Sequence, residues 1–149
     1  MSKFQFHLYL FAKIPISFLA GVRLKSLTET ECVTKVRLAW FNQNPFNSMF
    51  WAVQGMAAEF STGIMCAEKI RKSGLKISML VTEQSAEFTK KATGKITFTC
   101  NQGSEIDAVL KKAIETNEGV EINLFSEGIN ELGEIVSKFQ FKWSFKVKK

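Results

Sequence analysis

Apolar and polar residues alternate with a period of two along much of this chain, and one long stretch in the middle is apolar on nearly every side. Residues 20–29 and 32–40 read as paired strands. In the second, Thr34, Val36, Leu38 and Trp40 share a face opposite Val33, Lys35, Arg37 and Ala39, the pattern of a half-buried strand. Thr30 and Glu31 sit between them as a tight hairpin. Residues 77–88 start apolar and turn polar, like a strand covered over its first half. Residues 95–100 alternate cleanly, 104–117 form an amphipathic helix with Ser104 as its cap, and 119–126 are again a strand. The last strand spans 135–147, with Phe139, Phe141, Trp143 and Phe145 opposite Lys138, Gln140, Lys142, Ser144 and Lys146.

The exception to the alternation is residues 48–71. A turn-rich segment, 42–48, ends in helix-capping residues, and then 24 residues run without proline. Met49, Phe50, Trp51, Val53, Met56, Phe60, Ile64, Met65 and Ile70 leave almost no polar face, so the helix is expected to be buried. One stripe differs. At 100° per residue, Ser48, Ala52, Gly55, Glu59, Thr62, Gly63 and Cys66 fall together, and Glu59 is the acid in a row of small residues. Such a row lets a substrate, a partner helix or the sheet approach the helix axis. Gly74, after Ser73, ends the helix. The hairpin-like links imply an α+β domain: an antiparallel sheet with its helices on one face, curled around the apolar helix.

Residues 4–22 are greasy enough to suggest a membrane span, but Lys13 and Pro15 interrupt them. They read as a short N-terminal helix, residues 1–16, broken at Pro15 and packed on a single domain of residues 1–149. A lone His7 argues against catalytic triads and zinc sites, and no metal is expected. Cys32, Cys66 and Cys100 form no Cys-x-x-Cys pair and read as buried thiols in a reducing, cytoplasmic protein. The net charge of +6 is uneven, since residues 1–80 hold 10 Lys/Arg against 4 acids. Lys138, Lys142, Lys146, Lys148 and Lys149 crowd the end of the chain. A basic excess favours anionic partners, but these lysines face away from the aromatic side of their strand, unlike a single-strand nucleic-acid platform, so no nucleic-acid partner is expected. Nucleotide fingerprints are absent, and no cofactor is expected.

The chain resembles the hot-dog-fold, acyl-CoA thioesterase-like superfamily, in a poorly characterised branch. The resemblance rests on Pro15, the segment AGVRLKSLTETECVTKVRL from Ala20, the segment NQNPFNSMFWAVQGMAAEFSTG from Asn42, and the order of elements. It implies a sheet of about six antiparallel strands around a central helix, edge-to-edge dimers, and often hydrolysis of acyl thioesters. Many members carry His-Gly-Gly at the helix start, where this chain has Ser48, Met49, Phe50 and Trp51.

A thioester hydrolase needs a donor for the carbonyl oxygen and a base for water. The first N–H groups of the helix, helped by Asn47 or Ser48, supply the former, and Glu59 the latter. Asn44, Phe46, Phe50, Trp51, Gly55, Thr62 and Gly63 are the expected substrate contacts. The expected partners are a small acyl thioester, on coenzyme A or acyl-carrier protein, and a second copy of the chain in a homodimer or dimer of dimers. A non-catalytic acyl-binding module on the same fold is the alternative.

Overall fold

The computed structural model describes residues 2–148; Met1 and the terminal Lys149 of the lysine cluster lie outside them. Two helices open the chain, α1 (Lys3–Lys13) and α2 (Pro15–Leu19), with the break where Pro15 removes an amide donor. Ser2 caps α1 in a reciprocal capping box with Gln5. The hairpin β1 (Arg23–Leu27) and β2 (Cys32–Arg37) follows, then the long helix α3 (Trp51–Ser73). Next come β3 (Ile77–Phe88), β4 (Lys95–Cys100), α4 (Gly103–Thr116), β5 (Val120–Ile129) and β6 (Ile135–Val147).

All neighbouring strands run antiparallel in the order β1-β2-β4-β5-β6-β3. The six-stranded sheet curls around α3, as the periodicity and the resemblance both imply. Strand β6 holds its four aromatic residues inward, with Phe139, Phe141, Trp143 and Phe145 all buried. Each large apolar side chain sealed from water in this way contributes about 1.5–3 kcal/mol.

Hydrogen bonds then set how α3 sits on the sheet. The Thr34 hydroxyl on β2 donates to the Ala57 carbonyl at 2.6 Å. The Ser61 and Ser126 hydroxyls, on α3 and β5, meet at 2.7 Å. The Trp143 indole on β6 donates to the Thr62 hydroxyl at 3.0 Å, and that hydroxyl donates to the Glu59 carbonyl. Polar groups this deeply buried are costly unless paired, so these contacts define one seating of the helix.

Two helix starts differ from the sequence reading. Ser48 does not cap α3, because Phe50 holds the cap position and no side chain satisfies the first amides there. Ser48 instead belongs to the preceding turn, where its own bonds run to Asn44. Likewise Ser104 lies inside α4, whose cap position is Gln102 without a side-chain cap bond. For Ser48 a competing local turn displaced the cap; at α4 the neighbouring Gly103 packs against a segment distant in sequence. The residue before Ser104, Gly103, lies so close to the β1–β2 hairpin that a Cβ there would meet the Glu29 carbonyl oxygen at 2.2 Å.

Candidate active site

The turn before α3 is built by asparagines. Asn42 is buried and ties three segments together. Its amide nitrogen donates to the carbonyls of Ala20 and Arg37, and its oxygen accepts from the Ala39 amide. Asn44 organises the next residues, its side-chain oxygen accepting from the Phe46 and Ser48 amides at 2.9 and 3.2 Å. Its amide nitrogen also donates to the Ser48 hydroxyl at 3.0 Å. Asn47 takes the left-handed conformation at φ 59°, which asparagine tolerates better than most residues. The Met49 and Phe50 amides then donate to Ala92 and Asn42 carbonyls, delivering the chain into α3.

Val53 and Gln54 are the first amides of α3 that donate back into the chain, both to the Phe50 carbonyl. The Trp51 and Ala52 amides have no acceptor among the described residues. They sit at the positive end of a 23-residue helix, where backbone N–H groups favour negative charge. An open groove of about 790 Å³ lies here, lined by Asn44, Phe46, Ser48, Phe50 and Trp51. Gln54, Lys90 and Lys91 also line it. Lys91 donates to the Phe46 carbonyl and Lys90 is paired with Glu134.

Glu59 lies elsewhere. Eight residues further along α3, about 12 Å along the axis, it lines a separate cavity of about 360 Å³. Phe60, Gly63 and Ile64 of α3 share that cavity with Phe6, Tyr9 and Ile14 of the N-terminal segment and with Met79 and Trp143 of the sheet. The Glu59 carboxylate is half-buried and has neither a hydrogen-bond nor an ion-pair partner among the described residues. Burial therefore pushes its pKa above the ordinary glutamate value of 4.5.

The residues expected from the sequence thus divide. Asn44, Phe46, Ser48, Phe50 and Trp51 come together in the groove, and Glu59 and Gly63 in the apolar cavity. Asn47, Gly55 and Thr62 line neither. Thr62 is buried under Trp143, and a Cβ on Gly55 would touch the Phe139 ring at 3.6 Å, so the small-residue stripe receives the sheet.

Gln54 was not foreseen. It is buried at the groove, its Nε2 donates to the Met49 carbonyl at 3.4 Å, and its Oε1 has no partner among the described residues. A glutamine amid the apolar residues of α3 was the available signal. The N-terminal wall of the Glu59 cavity was also missed, since nothing local says where α1 docks. His7 plays no part in either concavity; its Nε2 accepts from the Leu24 amide, and burial with nearby Arg23, Lys35 and Lys3 lowers its pKa. The three cysteines are free and buried, and burial raises Cys32 to about 12 and Cys100 to about 11.

Comparison with known proteins agrees with this architecture. The chain is similar to a Pseudomonas aeruginosa protein of unknown function described as a probable thioesterase, with 19% identity, 97% of this chain and 95% of that chain covered, and a TM-score of 0.79. A protein of unknown function from Chlorobaculum tepidum matches at 16% identity over 98% of this chain and 94% of its own, with a TM-score of 0.84. A thioesterase from Haemophilus influenzae matches at 8% identity over 99% and 92%, with a TM-score of 0.74. These likenesses establish a thioesterase-like hot-dog fold. Among the curated proteins none matches. Residues 3–145 match DUF4442, a domain of unknown function, and the chain belongs to that family.

Proposed function

We propose that the protein hydrolyses acyl thioesters, carried on coenzyme A or acyl-carrier protein, as a homodimer or dimer of dimers. The observation that carries this reading is Glu59: an unpaired carboxylate at the wall of an apolar cavity, with a raised pKa. A carboxylate left without a cation in such surroundings costs stability, and a base poised above its ordinary pKa is suited to taking a proton from water.

In the proposed reaction the thioester carbonyl oxygen accepts hydrogen bonds from the Trp51 and Ala52 amides. Glu59 takes a proton from water as the oxygen of that water bonds to the carbonyl carbon. The tetrahedral intermediate then collapses, the carbon–sulfur bond breaks, and the thiolate leaves with the proton that Glu59 held. Phe46, Phe50 and Trp51 line the groove for the greasy part of the substrate. Asn47 and Ser48 hold the turn that aims the amides, and Gly55, Thr62 and Gly63 let α3 lie close to the sheet.

The amides and the carboxylate of one chain are about 12 Å apart along α3, too far to act on one carbonyl. Strand β3 pairs with β6 on one side only and ends the sheet, with Leu80 exposed on it. Pairing of β3 with the β3 of a second copy satisfies that open edge, and the proposal is that it brings Glu59 of one subunit to the helix start of the other.

The test is Glu59→Gln, assayed by thiol release from a panel of acyl-coenzyme A substrates, with the mass in solution measured by light scattering. Turnover drops at least ~100-fold. The folded state holds the Glu59 proton to higher pH than the unfolded chain does, so ionised Glu59 costs stability as pH rises through and above 4.5. The melting temperature of the variant at pH 7 is therefore equal to or slightly above that of the wild type. Turnover that survives in Glu59→Gln overturns the base assignment. A monomer mass overturns the shared site. Saturable acyl-coenzyme A binding without turnover on any substrate assigns the fold to acyl binding alone, the reading that the missing His-Gly-Gly favours.

A further inference from the structure

Helix α1 is apolar on both sides. Phe6 and Leu10 point into the core and are sealed from water. Phe4, Leu8 and Phe11, at spacings of four and three residues, form a second stripe facing outward. Their exposures are 77%, 56% and 59%, and nothing among the described residues covers them. The stripe continues across the Pro15 break. The Phe11 ring meets the edge of Phe18 on α2 at 5.4 Å, and Ile16 and Leu19 of α2 are exposed at 63% and 70%.

The charged residues of the segment that carries this face have one sign. Residues 2–28 contain Lys3, Lys13, Arg23 and Lys25 and not a single Asp or Glu. Lys3 and Lys13 stand exposed at the two ends of α1, and neither they nor Lys25 has an acidic partner among the described residues. A second copy placed on this face about a two-fold axis would set these lysines against the same basic segment. A water-soluble protein partner would need both an apolar groove and matching acids. A lipid surface supplies both halves at once, with acyl chains for the phenylalanines and anionic headgroups for the lysines.

We propose that the outward face of α1 and α2 docks in the plane of an anionic membrane surface, lying on the bilayer rather than crossing it. No helix among the described residues is long and apolar enough to cross. The phenylalanines and leucines sit at the boundary between headgroups and acyl chains, and Lys3 and Lys13 reach the headgroups.

Flotation with vesicles tests this, using phosphatidylcholine alone and phosphatidylcholine with about 30% phosphatidylserine. The protein floats with the serine-containing vesicles, and binding falls steeply in about 0.5 M salt. Lys3→Gln with Lys13→Gln weakens partitioning roughly fivefold per lysine. Phe4→Ser with Leu8→Ser abolishes flotation while leaving thiol-release activity on soluble substrates and the melting curve unchanged, because both side chains already face water. Flotation that is equal on the two vesicle types, or indifferent to both double variants, overturns the proposal. A dimer that falls apart in Phe4→Ser/Leu8→Ser, in a protein that never floats, assigns the face to a second copy and overturns it as well.

Discussion

The two concavities along α3 are opposites. The groove at the helix start is wide and open, with two unsatisfied helix amides and two lysines as donors, and no acid lines it. Its Gln54 oxygen accepts from nothing among the described residues. The cavity near the helix middle is smaller and almost wholly apolar, and its one charged group is Glu59. On the proposed reading, the first supplies the oxyanion donors and lacks a base, and the second supplies the base with few donors around it. A single helix cannot fold back to join them, so their complementarity directs attention to the unpaired edge of β3.

The sharpest way to break that comparison is subunit complementation. Asn44→Ala unties the turn that aims the groove amides and lowers turnover at least ~10-fold through misplacement of the donors. Mixed with Glu59→Gln and allowed to exchange subunits, it yields heterodimers in which one of two sites has an intact groove and an intact carboxylate. Activity then recovers to roughly a quarter of wild type. No recovery after demonstrated exchange places both functions within one chain.

The pH profile sharpens the base side alone. A base must be ionised to act, and burial raises the pKa of Glu59. The wild-type kcat/KM therefore climbs about tenfold per pH unit below that pKa and levels off above it, with the midpoint higher than 4.5. A midpoint at or below the ordinary value would mean that another group limits the rate.

Two glycines on the small-residue stripe give smaller and opposite effects. A Cβ on Gly63 would stand 3.0 Å from Cζ2 and 3.2 Å from Cη2 of Trp143, an indole that is buried and held by Thr62. Gly63→Ala therefore costs about 1–2 kcal/mol after the gain in helix propensity, seen as a lower urea midpoint and a reshaped Glu59 cavity. A Cβ on Gly55 meets only ordinary contact with Phe139 at 3.6 Å. Gly55→Ala raises stability by about 0.5–1 kcal/mol and leaves both concavities as they are. Destabilisation by Gly55→Ala would show that the sheet packs on α3 more tightly there than the structure has it.

Much of the fold was legible in the chain. Strand β6 announced itself through thirteen alternating residues, and the all-round apolar character of α3 demanded a sheet around it. These signals are strong because burial acts on every residue of an element at once. Helix starts were less legible, because a cap depends on one side chain. Ser48 was drawn into the Asn44 turn, and Gly103, beside Ser104, met the β1–β2 hairpin.

Of the candidate site, the sequence alone determined the cast: Glu59 as an acid among small residues, the asparagine turn, and the aromatic start of the helix. It did so because residue type and helical period follow from local order. Only the tertiary structure decided that Glu59 faces a cavity walled by α1 while the turn faces another, and that Thr62 and Gly55 serve the sheet. Those outcomes depend on where segments distant in sequence meet, such as Phe46 with Lys91 and Thr62 with Trp143, and period and composition carry no record of that meeting.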